Sequence, residues 1–461
     1  MTVKGSRGAA GAARWAARGA LVAAAGAVAV LLLTLGGGGL LVLLGGAAGL
    51  VVTAVAAWWV LAHRGPLRLC GTLLMGGAPA GVLVLFVRSG LWSTALVALL
   101  LWSVSLACAR AALRKPLPPA AGPGRPVAPP RRPVLLMNPA SGGGKVERFG
   151  LVARAEKLGA RVILLDPSAP ADVGAVAREA VAEGADLLGV AGGDGTQALV
   201  AGVAAEHDLP FLVIAAGTRN HFAMDLGLDR ADPARCLDAL TDGEELRVDL
   251  GTVAGRAFVN TVSFGVYAQV VRHPEYRGAK AGTALEVMPD LLLGGAGERL
   301  DAVVDGTPLP GRQALLVSNN PYATADPLGA GRRPRLDGGR LGVIGVRVDG
   351  AAGAAELAVR GHLSDGLNVL TARRVEVTAT TPTVPVAVDG EALTLTAPVT
   401  CAIRPGALRV LVPRDRPGVP PVAPPLDWRR VLTLALGRPA TAGDDTGDRV
   451  DRAGRDDRDD R

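Results

Sequence analysis

Leu187-Leu188-Gly189-Val190-Ala191-Gly192-Gly193-Asp194-Gly195-Thr196-Gln197 is the stretch from which the rest of the chain is read. An apolar run of strand type ends in Gly-Gly-Asp-Gly-Thr, and the helix-like run Ala198–Ala205 follows. A strand, a glycine loop and a helix together offer unpaired backbone N–H groups and a helix N-terminus to an anion. The glycines permit positive φ and let a phosphate approach the backbone. Asp194 beside a phosphate makes chemical sense if it handles a metal or orients a donor within the loop. Two other readings compete. One is a tight turn with no ligand. The other is a dinucleotide site, since Gly193-x-Gly195-x-x-Ala198 fits G-x-G-x-x-A. The acidic residue expected about 20 positions further on is missing, because Phe211–Asn220 holds no Asp or Glu.

Outward from this loop, strands and helices alternate. Val134–Met137, Arg161–Leu165, Leu187–Ala191 and Phe211–Ala215 read as strands; Glu147–Leu158, Ala171–Glu183 and Thr196–Glu206 read as helices. That order predicts a parallel sheet covered by helices over residues 134–246. From Arg247 the pattern changes. Ala314–Val317, Leu341–Val348, Val375–Thr380, Val384–Val388, Leu393–Leu395 and Leu408–Val412 read as strands with few helices between them. They predict a second, mostly antiparallel lobe over residues 247–413. Residues 414–461 form a Pro-rich and Asp/Arg-rich tail. It holds one amphipathic stretch, Trp428–Leu436, and its end reads as disordered.

Before this soluble part the chain is almost continuously apolar. Four spans, Ala17–Leu35, Leu40–Leu61, Leu67–Val87 and Leu91–Ala111, are each near the ~20 residues needed to cross a bilayer. A signal peptide would give way to soluble sequence after one short apolar segment, and a buried soluble core would leave a polar face. Lys4, Arg7, Arg14 and Arg18 lie before or at the start of the first span, Arg64 and Arg68 at the break between the second and the third, and Arg110, Arg114 and Lys115 at the end of the fourth. The other two loops hold only Arg88. The positive-inside rule then places both ends of the membrane region, residues 1–115, and everything after it, in the cytoplasm. Residues 116–133 are a Pro-rich, semi-rigid linker that keeps the soluble part near the bilayer.

Composition narrows the function. The net charge is +7, but no Lys/Arg block is interleaved with aromatics, which argues against nucleic acid as a partner. The four cysteines, Cys70, Cys108, Cys236 and Cys401, show no C-x-x-C spacing and read as free thiols in a reducing compartment. The five histidines are scattered, against a zinc site.

Two more loops sit at carboxyl ends of the parallel strands, where open α/β sheets bind ligands. The first is Asn138-Pro139-Ala140-Ser141-Gly142-Gly143-Gly144-Lys145. It is not a P-loop, because Pro139 and Val146 break that pattern, yet it offers backbone donors, a hydroxyl and a lysine. The other is Gly217-Thr218-Arg219-Asn220-His221-Phe222-Ala223. Three donor-rich loops at one sheet edge suit a polyphosphate.

With these loops in view, Val134–Pro413 resembles the diacylglycerol kinase catalytic domain family, which includes sphingosine and ceramide kinases. The matching pieces are Asn138-Pro139-x-Ser141-Gly142, Gly192-Gly193-Asp194-Gly195-Thr196, Gly217-Thr218-x-Asn220-x-Phe222-Ala223, Asn260-x-x-Ser263-x-Gly265, Asp389-Gly390-Glu391 and Pro405-Gly406-Ala407-Leu408. Gly-Gly-Asp-Gly-Thr alone is shared with NAD kinases and phosphofructokinases; the ordered set is specific. The resemblance implies an α/β, two-lobed lipid-kinase fold behind the α-helical membrane region: an ATP lobe, then a β-rich lobe. It implies ATP-dependent phosphorylation of a lipid hydroxyl, diacylglycerol giving phosphatidic acid, and a place in phospholipid biosynthesis. Asn138, Pro139, Ser141, Gly142, Gly192, Gly193, Asp194, Gly195, Thr196, Gln197, Thr218 and Asn220 would hold ATP. Glu391 matches the family's general base, which would take the hydroxyl proton as the alcohol attacks, and Asp194 would serve catalysis from the loop. Catalytic Mg²⁺ would arrive with ATP. One departure concerns the family's Leu-Asp-Asp-Gly-x-Leu-Asp, whose second Asp helps bind a structural magnesium. Here the stretch is Leu336-Asp337-Gly338-Gly339-Arg340-Leu341-Gly342, so Gly338 stands at that position. Competing readings are a kinase for a sphingoid base, a polyprenol or NAD, and a nucleotide-binding regulator without catalysis.

Overall fold

The computed structural model describes residues 3–33, 39–113, 124–166, 172–265, 299–322, 332–348, 366–418 and 427–437, with a few isolated positions between them. The start of the Pro-rich linker and most of the tail lie outside these residues. One compact unit holds most of four long helices together with a C-terminal helix, and residues 117–422 with Trp58–Arg68 make up a second.

In the first unit the helices are α1 (Val3–Leu33), α2 (Gly39–Ala62), α3 (Pro66–Arg88) and α4 (Trp92–Leu113). All four are long and apolar enough to cross a membrane, at the positions the sequence predicts. They pair by close approach of small residues, as membrane helices do. On α2, a Cβ at Gly46 would meet the Phe86 ring of α3 at 3.1 Å, and one at Gly45 would meet Leu85 at 2.8 Å. Between α1 and α4, the Ser105 hydroxyl donates to the Ala20 carbonyl at 2.7 Å.

The second unit opens with the short β1 (Arg125–Pro126), then alternates as expected through β2 (Pro133–Met137), α5 (Lys145–Arg148), α6 (Leu151–Lys157), β3 (Arg161–Leu164), α7 (Val173–Ala182), β4 (Leu187–Ala191), α8 (Asp194–Glu206), β5 (Pro210–Ile214) and α9 (His221–Asp225). The single helix predicted over Glu147–Leu158 is two helices. Gly150 adopts φ 56°, ending one and capping the next. The strands β3-β2-β4-β5 run parallel. The side chains of β2, β4 and β5 are mostly apolar and buried on both faces, as a helix-covered parallel sheet requires, while the edge strand β3 is partly exposed.

The β-rich region comprises β6 (Gly243–Val253), β7 (Arg256–Phe258), β8 (Thr261–Gly265), β9 (Leu300–Val304), β10 (Thr307–Arg312), β11 (Ala314–Asn319), β12 (Leu341–Val346), β13 (Leu367–Ala372), β14 (Arg374–Thr378), β15 (Thr383–Val388), β16 (Glu391–Thr396) and β17 (Val399–Pro413). Six of these form an antiparallel sheet in the order β13-β12-β11-β8-β15-β16. The rest join the parallel strands in one eleven-stranded sheet. The join is β17. Along one side it pairs with β6; along the other it pairs first with β14, antiparallel, and then with β5, parallel. A register shift between Arg404 and Leu408, at Pro405-Gly406, separates the two halves of the β6 pairing. Phe258, Val262, Phe264, Leu315, Val375, Val386 and Cys401 belong to a second apolar core, built from strands of both sheets.

Candidate active site

Strand order places the site. From β2 the chain moves outward to β3, then crosses back to β4 on the other side of β2. The loops after β2 and β4 therefore part, which opens a crevice at the carboxyl edge.

The three sequence-predicted loops meet there. After β2, the Asn138 N–H donates to the Ala191 carbonyl at 2.9 Å, tying the first loop to the end of β4. The Asn138 side-chain oxygen accepts from the Ala140 N–H at 3.0 Å, and the Ser141 N–H donates to the Asn138 carbonyl at 3.1 Å, so the loop turns back on itself. Gly142, Gly143 and Gly144 then take φ of 58°, 72° and 79°. Gly142 is pressed onto the Ala216 carbonyl of the third loop, with no room for a Cβ. Gly217 in turn lies on the second loop, where a Cβ would meet the Gly192 carbonyl at 2.8 Å. Around Gly143, Gly144 and Gly193, by contrast, a Cβ would meet nothing within 4 Å. The packed glycines bind loop to loop, and the open ones leave backbone free to approach a ligand.

The polar side chains of the motifs divide in the same way. Asp194, the first residue of α8, accepts from the N–H groups of His221 (3.3 Å) and Phe222 (3.4 Å) at the start of α9. It joins the second loop to the third and supplies that short helix with the acceptor its first N–H groups lack. Gln197 and Asn220 are fully buried behind the loops. The Gln197 amide donates to the Gly192 carbonyl at 3.1 Å and the Asn220 amide to the Gly217 carbonyl at 2.8 Å. Pro139, Ser141 and Thr196 are half-buried and Thr218 is exposed. The Thr218 carbonyl accepts from Arg230 at 2.9 Å, and Lys145 donates to the Arg230 carbonyl at 3.0 Å. Burial first, then the nearby Arg230 and Arg148 charges, lower the Lys145 pKa.

The candidate base arrives from the six-stranded sheet. Val388 pairs with Glu391 across a two-residue turn. Its residues Asp389 and Gly390 have φ of 47° and 86°, as a tight hairpin turn requires. The Asp389 carboxylate accepts from the N–H groups of Val259 (2.8 Å), Asn260 (2.9 Å) and Thr261 (2.9 Å), pinning the turn to the β7–β8 junction. Burial pushes the Asp389 pKa up to about 7; those backbone bonds oppose the shift and the Asp194 charge adds to it. Glu391 lies against Gly195 of α8, where a Cβ would collide with its carboxylate. Its Oε2 accepts from Arg256 Nη2 at 2.5 Å. A carboxylate at the start of a helix is also favoured by the helix dipole.

Behind the turn lies a buried guanidinium. Arg333 is fully buried and donates to Asp225 (2.7 Å), to the carbonyls of Val259 (2.5 Å) and Asn319 (2.8 Å), and to the Asn260 side chain (2.7 Å). It links α9 to the strands that hold Asp389. The sequence reading missed both Arg256 and Arg333, because each acts on residues far away in the chain.

The stretch where the resemblance expects a structural magnesium is closed by backbone contacts. The Gly338 N–H donates to the Asn320 side-chain oxygen at 2.8 Å, and the Gly339 N–H to Asp249 at 2.6 Å. A Cβ at Gly342 would meet Ser318 Oγ at 2.5 Å and Pro321 Cα at 2.7 Å. Among the described residues no group of three His, Cys, Asp or Glu side chains could hold a metal ion. These residues do not fit a structural magnesium.

Comparison with known proteins bears on the same segment. The diacylglycerol kinase catalytic domain matches residues 132–253. A diacylglycerol kinase of Mycobacterium tuberculosis (strain CDC 1551 / Oshkosh) is 34% identical over 120 residues, which are 26% of this chain and 39% of the relative. One of Bacillus subtilis (strain 168) is 32% identical over 139 residues, 29% of this chain and 46% of the relative. The chain thus spans less than half the length of these curated relatives. A crystal structure of a Bacillus anthracis diacylglycerol kinase aligns with a TM-score of 0.47 at 18% identity, over 62% of this chain and 98% of that one. The matched segment contains all three phosphate-type loops and runs to the end of β6; over that segment the chain is similar to the diacylglycerol kinase catalytic domain.

Proposed function

We propose that the protein is a membrane-anchored, ATP-dependent lipid kinase that transfers the γ-phosphate of ATP to the hydroxyl of diacylglycerol, giving phosphatidic acid. The observation that carries this reading is the placement of Glu391 on Gly195, at the start of α8 in the glycine loop. A carboxylate from one sheet is delivered to the phosphate-type loops of the other.

In this reading the open backbone at Gly143, Gly144 and Gly193 faces the triphosphate. Asn138, Pro139, Ser141 and Gly142 shape the first loop, Gly192 to Thr196 the second, and Thr218 the third. Gln197 and Asn220 hold the loops from behind. Glu391 accepts the proton of the lipid hydroxyl as its oxygen attacks the γ-phosphorus. The bond from that phosphorus to the bridging oxygen breaks, and ADP leaves. Arg256 donates to the Glu391 carboxylate and restrains it beside Gly195. Proton acceptance by a positioned carboxylate contributes typically ~10²–10⁴-fold. Magnesium enters as the partner of ATP, neutralising phosphate charge.

The four apolar helices support anchoring at the lipid's own location, and their flanking basic residues support a cytoplasmic catalytic domain with access to ATP. Reporter fusions at Met1 and after Leu113 should report cytoplasm and one at Ser89 the outside; an external catalytic domain would overturn the reading.

The deciding experiment incubates the full-length protein with labelled ATP and a panel of diacylglycerol, sphingoid base and polyprenol. Labelled phosphatidic acid is expected. Label in another lipid would reassign the acceptor, and no labelled lipid under any condition would leave a nucleotide-binding regulator.

A further inference from the structure

The C-terminal helix, α10 (Trp428–Ala435), packs in the same unit as the apolar helices. Val431 and Ala435 are buried with Ala17 and Ala20 of α1 and with Ala109, Ala112 and Leu113 of α4. Trp428 reaches Trp102, with ring centroids 6.1 Å apart. Arg18, inside an otherwise apolar stretch of α1, donates to the Ala435 carbonyl at 3.1 Å. That contact sets a cation at the helix C-terminus, where the dipole is negative.

This docking covers only part of the helix. At 3.6 residues per turn, or about 100° per residue, Leu432 and Leu436 fall beside the docked face. They are 48% and 59% exposed. Arg429, Thr433 and Arg430 follow around the helix, and both arginines are exposed. An apolar sector half covered by protein and half bare, bordered by arginines, is the pattern of a helix lying in a membrane interface.

We propose that this bare sector of α10 rests on an anionic lipid surface, with Leu432 and Leu436 at the acyl boundary and Arg429 and Arg430 against lipid phosphates. Charge identifies the occupant. The first acidic residue of the whole chain is Glu147, so nothing in the four membrane helices repels a phosphate. The ends of α1 and α4 that receive α10 carry Arg14, Arg18 and Arg110. The exterior of α4 is apolar, with Leu99 and Leu100 each 63% exposed, and Leu432 and Leu436 extend that kind of surface. The chain therefore returns to the membrane after its catalytic unit and is held there at both ends. This inference rests on the membrane reading of α1–α4.

The test uses the full-length chain with Cys70, Cys108, Cys236 and Cys401 replaced, reconstituted in phosphatidylcholine vesicles with and without phosphatidylglycerol. A fluorophore is attached in turn through Leu432→Cys, Leu436→Cys, Arg430→Cys and, as a reference, Leu99→Cys. Lipid-borne nitroxide should quench the labels at 432 and 436 several-fold more than the label at 430, and aqueous iodide should do the reverse. Phosphatidylglycerol should sharpen the contrast, and Arg429→Gln with Arg430→Gln should abolish that sharpening. Iodide access at 432 equal to that at 430 would overturn the proposal, as would cross-linking between copies through position 432. Loss of nitroxide quenching at 99 would instead overturn the membrane reading itself.

Discussion

Gly195 leaves the space that the Glu391 carboxylate fills. The two residues lie 196 positions apart, one in helix α8 and the other at the start of β16, yet any side chain at Gly195 would meet Glu391 first. Gly195 is the second residue of α8, where alanine is the better helix former by about 0.5–1 kcal/mol. Stability and activity should therefore separate in Gly195→Ala. The displaced group is the end of a flexible, partly exposed side chain, so the fold should hold and thermal stability stay level or rise. Turnover should fall by about 10²-fold or more as the carboxylate swings away. Thermal unfolding and lipid phosphorylation on the same preparation check this. Full activity with an unshifted Glu391 would show that the contact plays no part in catalysis.

Glu391→Gln keeps the size of the side chain and removes the proton acceptor. ATP should bind as before, since the phosphate-type loops do not draw on Glu391 for their own hydrogen bonds. Turnover should drop by ~10²–10⁴-fold, and a nucleotide-binding isotherm beside a rate measurement reads both. An unchanged rate would move the base elsewhere, with Asp389 next to test.

Arg333 is a matter of integrity rather than chemistry. Arg333→Met should cost about 3–5 kcal/mol, because it strands the Asp225 carboxylate in the interior. Replacing both partners, Arg333→Met with Asp225→Leu, should recover part of that loss. Denaturant unfolding of the two variants decides it; equal damage from both would mean that the four bonds of Arg333 to Asp225, Asn260 and the carbonyls of Val259 and Asn319 matter more than its charge.

Asp389 predicts the sign of a pH effect. Its carboxyl is pushed up to about 7 in the fold, against about 3.9 in an unfolded chain. The folded protein therefore holds this proton more tightly. The contribution of Asp389 to stability is full below about pH 4 and is lost as the pH rises through about 7. Asp389→Asn should start less stable, because its amide cannot accept all three N–H bonds, but its melting temperature should change less between about pH 5 and about pH 8. Parallel slopes for variant and wild type would assign the pH dependence to other groups.

Much of this arrangement was legible in the residues. The parallel strands announced themselves as short apolar runs alternating with helix-like ones, and the loops followed from them. The resemblance singled out Glu391, though its contact with Gly195 has no local sign. Arg256 and Arg333 were invisible, because their acidic partners lie 135 and 108 residues away. β6 was hidden by its composition. It carries Glu244, Glu245, Arg247 and Asp249, and Asp249 is an acid inside a strand, satisfied by the N–H groups of Gly339 and Gly406 at 2.6 and 2.8 Å. The β9–β10 hairpin did carry a signal, Asp305-Gly306, whose φ of 44° and 84° suit a two-residue turn.

The last strand of the second unit, β17, is also a shared neighbour of β5, β6 and β14. During synthesis those three strands emerge with an edge unpaired, and they stay so until residues 399–413 arrive. By then the four apolar helices have long since been made, and the β17–β5 pairing, the most distant in sequence among the described strands, forms only after all of them. Folding that waits on such remote contacts is slow, and the waiting edges invite pairing with other chains. A nascent chain stalled before Val399 would leave those edges of β5, β6 and β14 without β17 and so open to pairing with other chains.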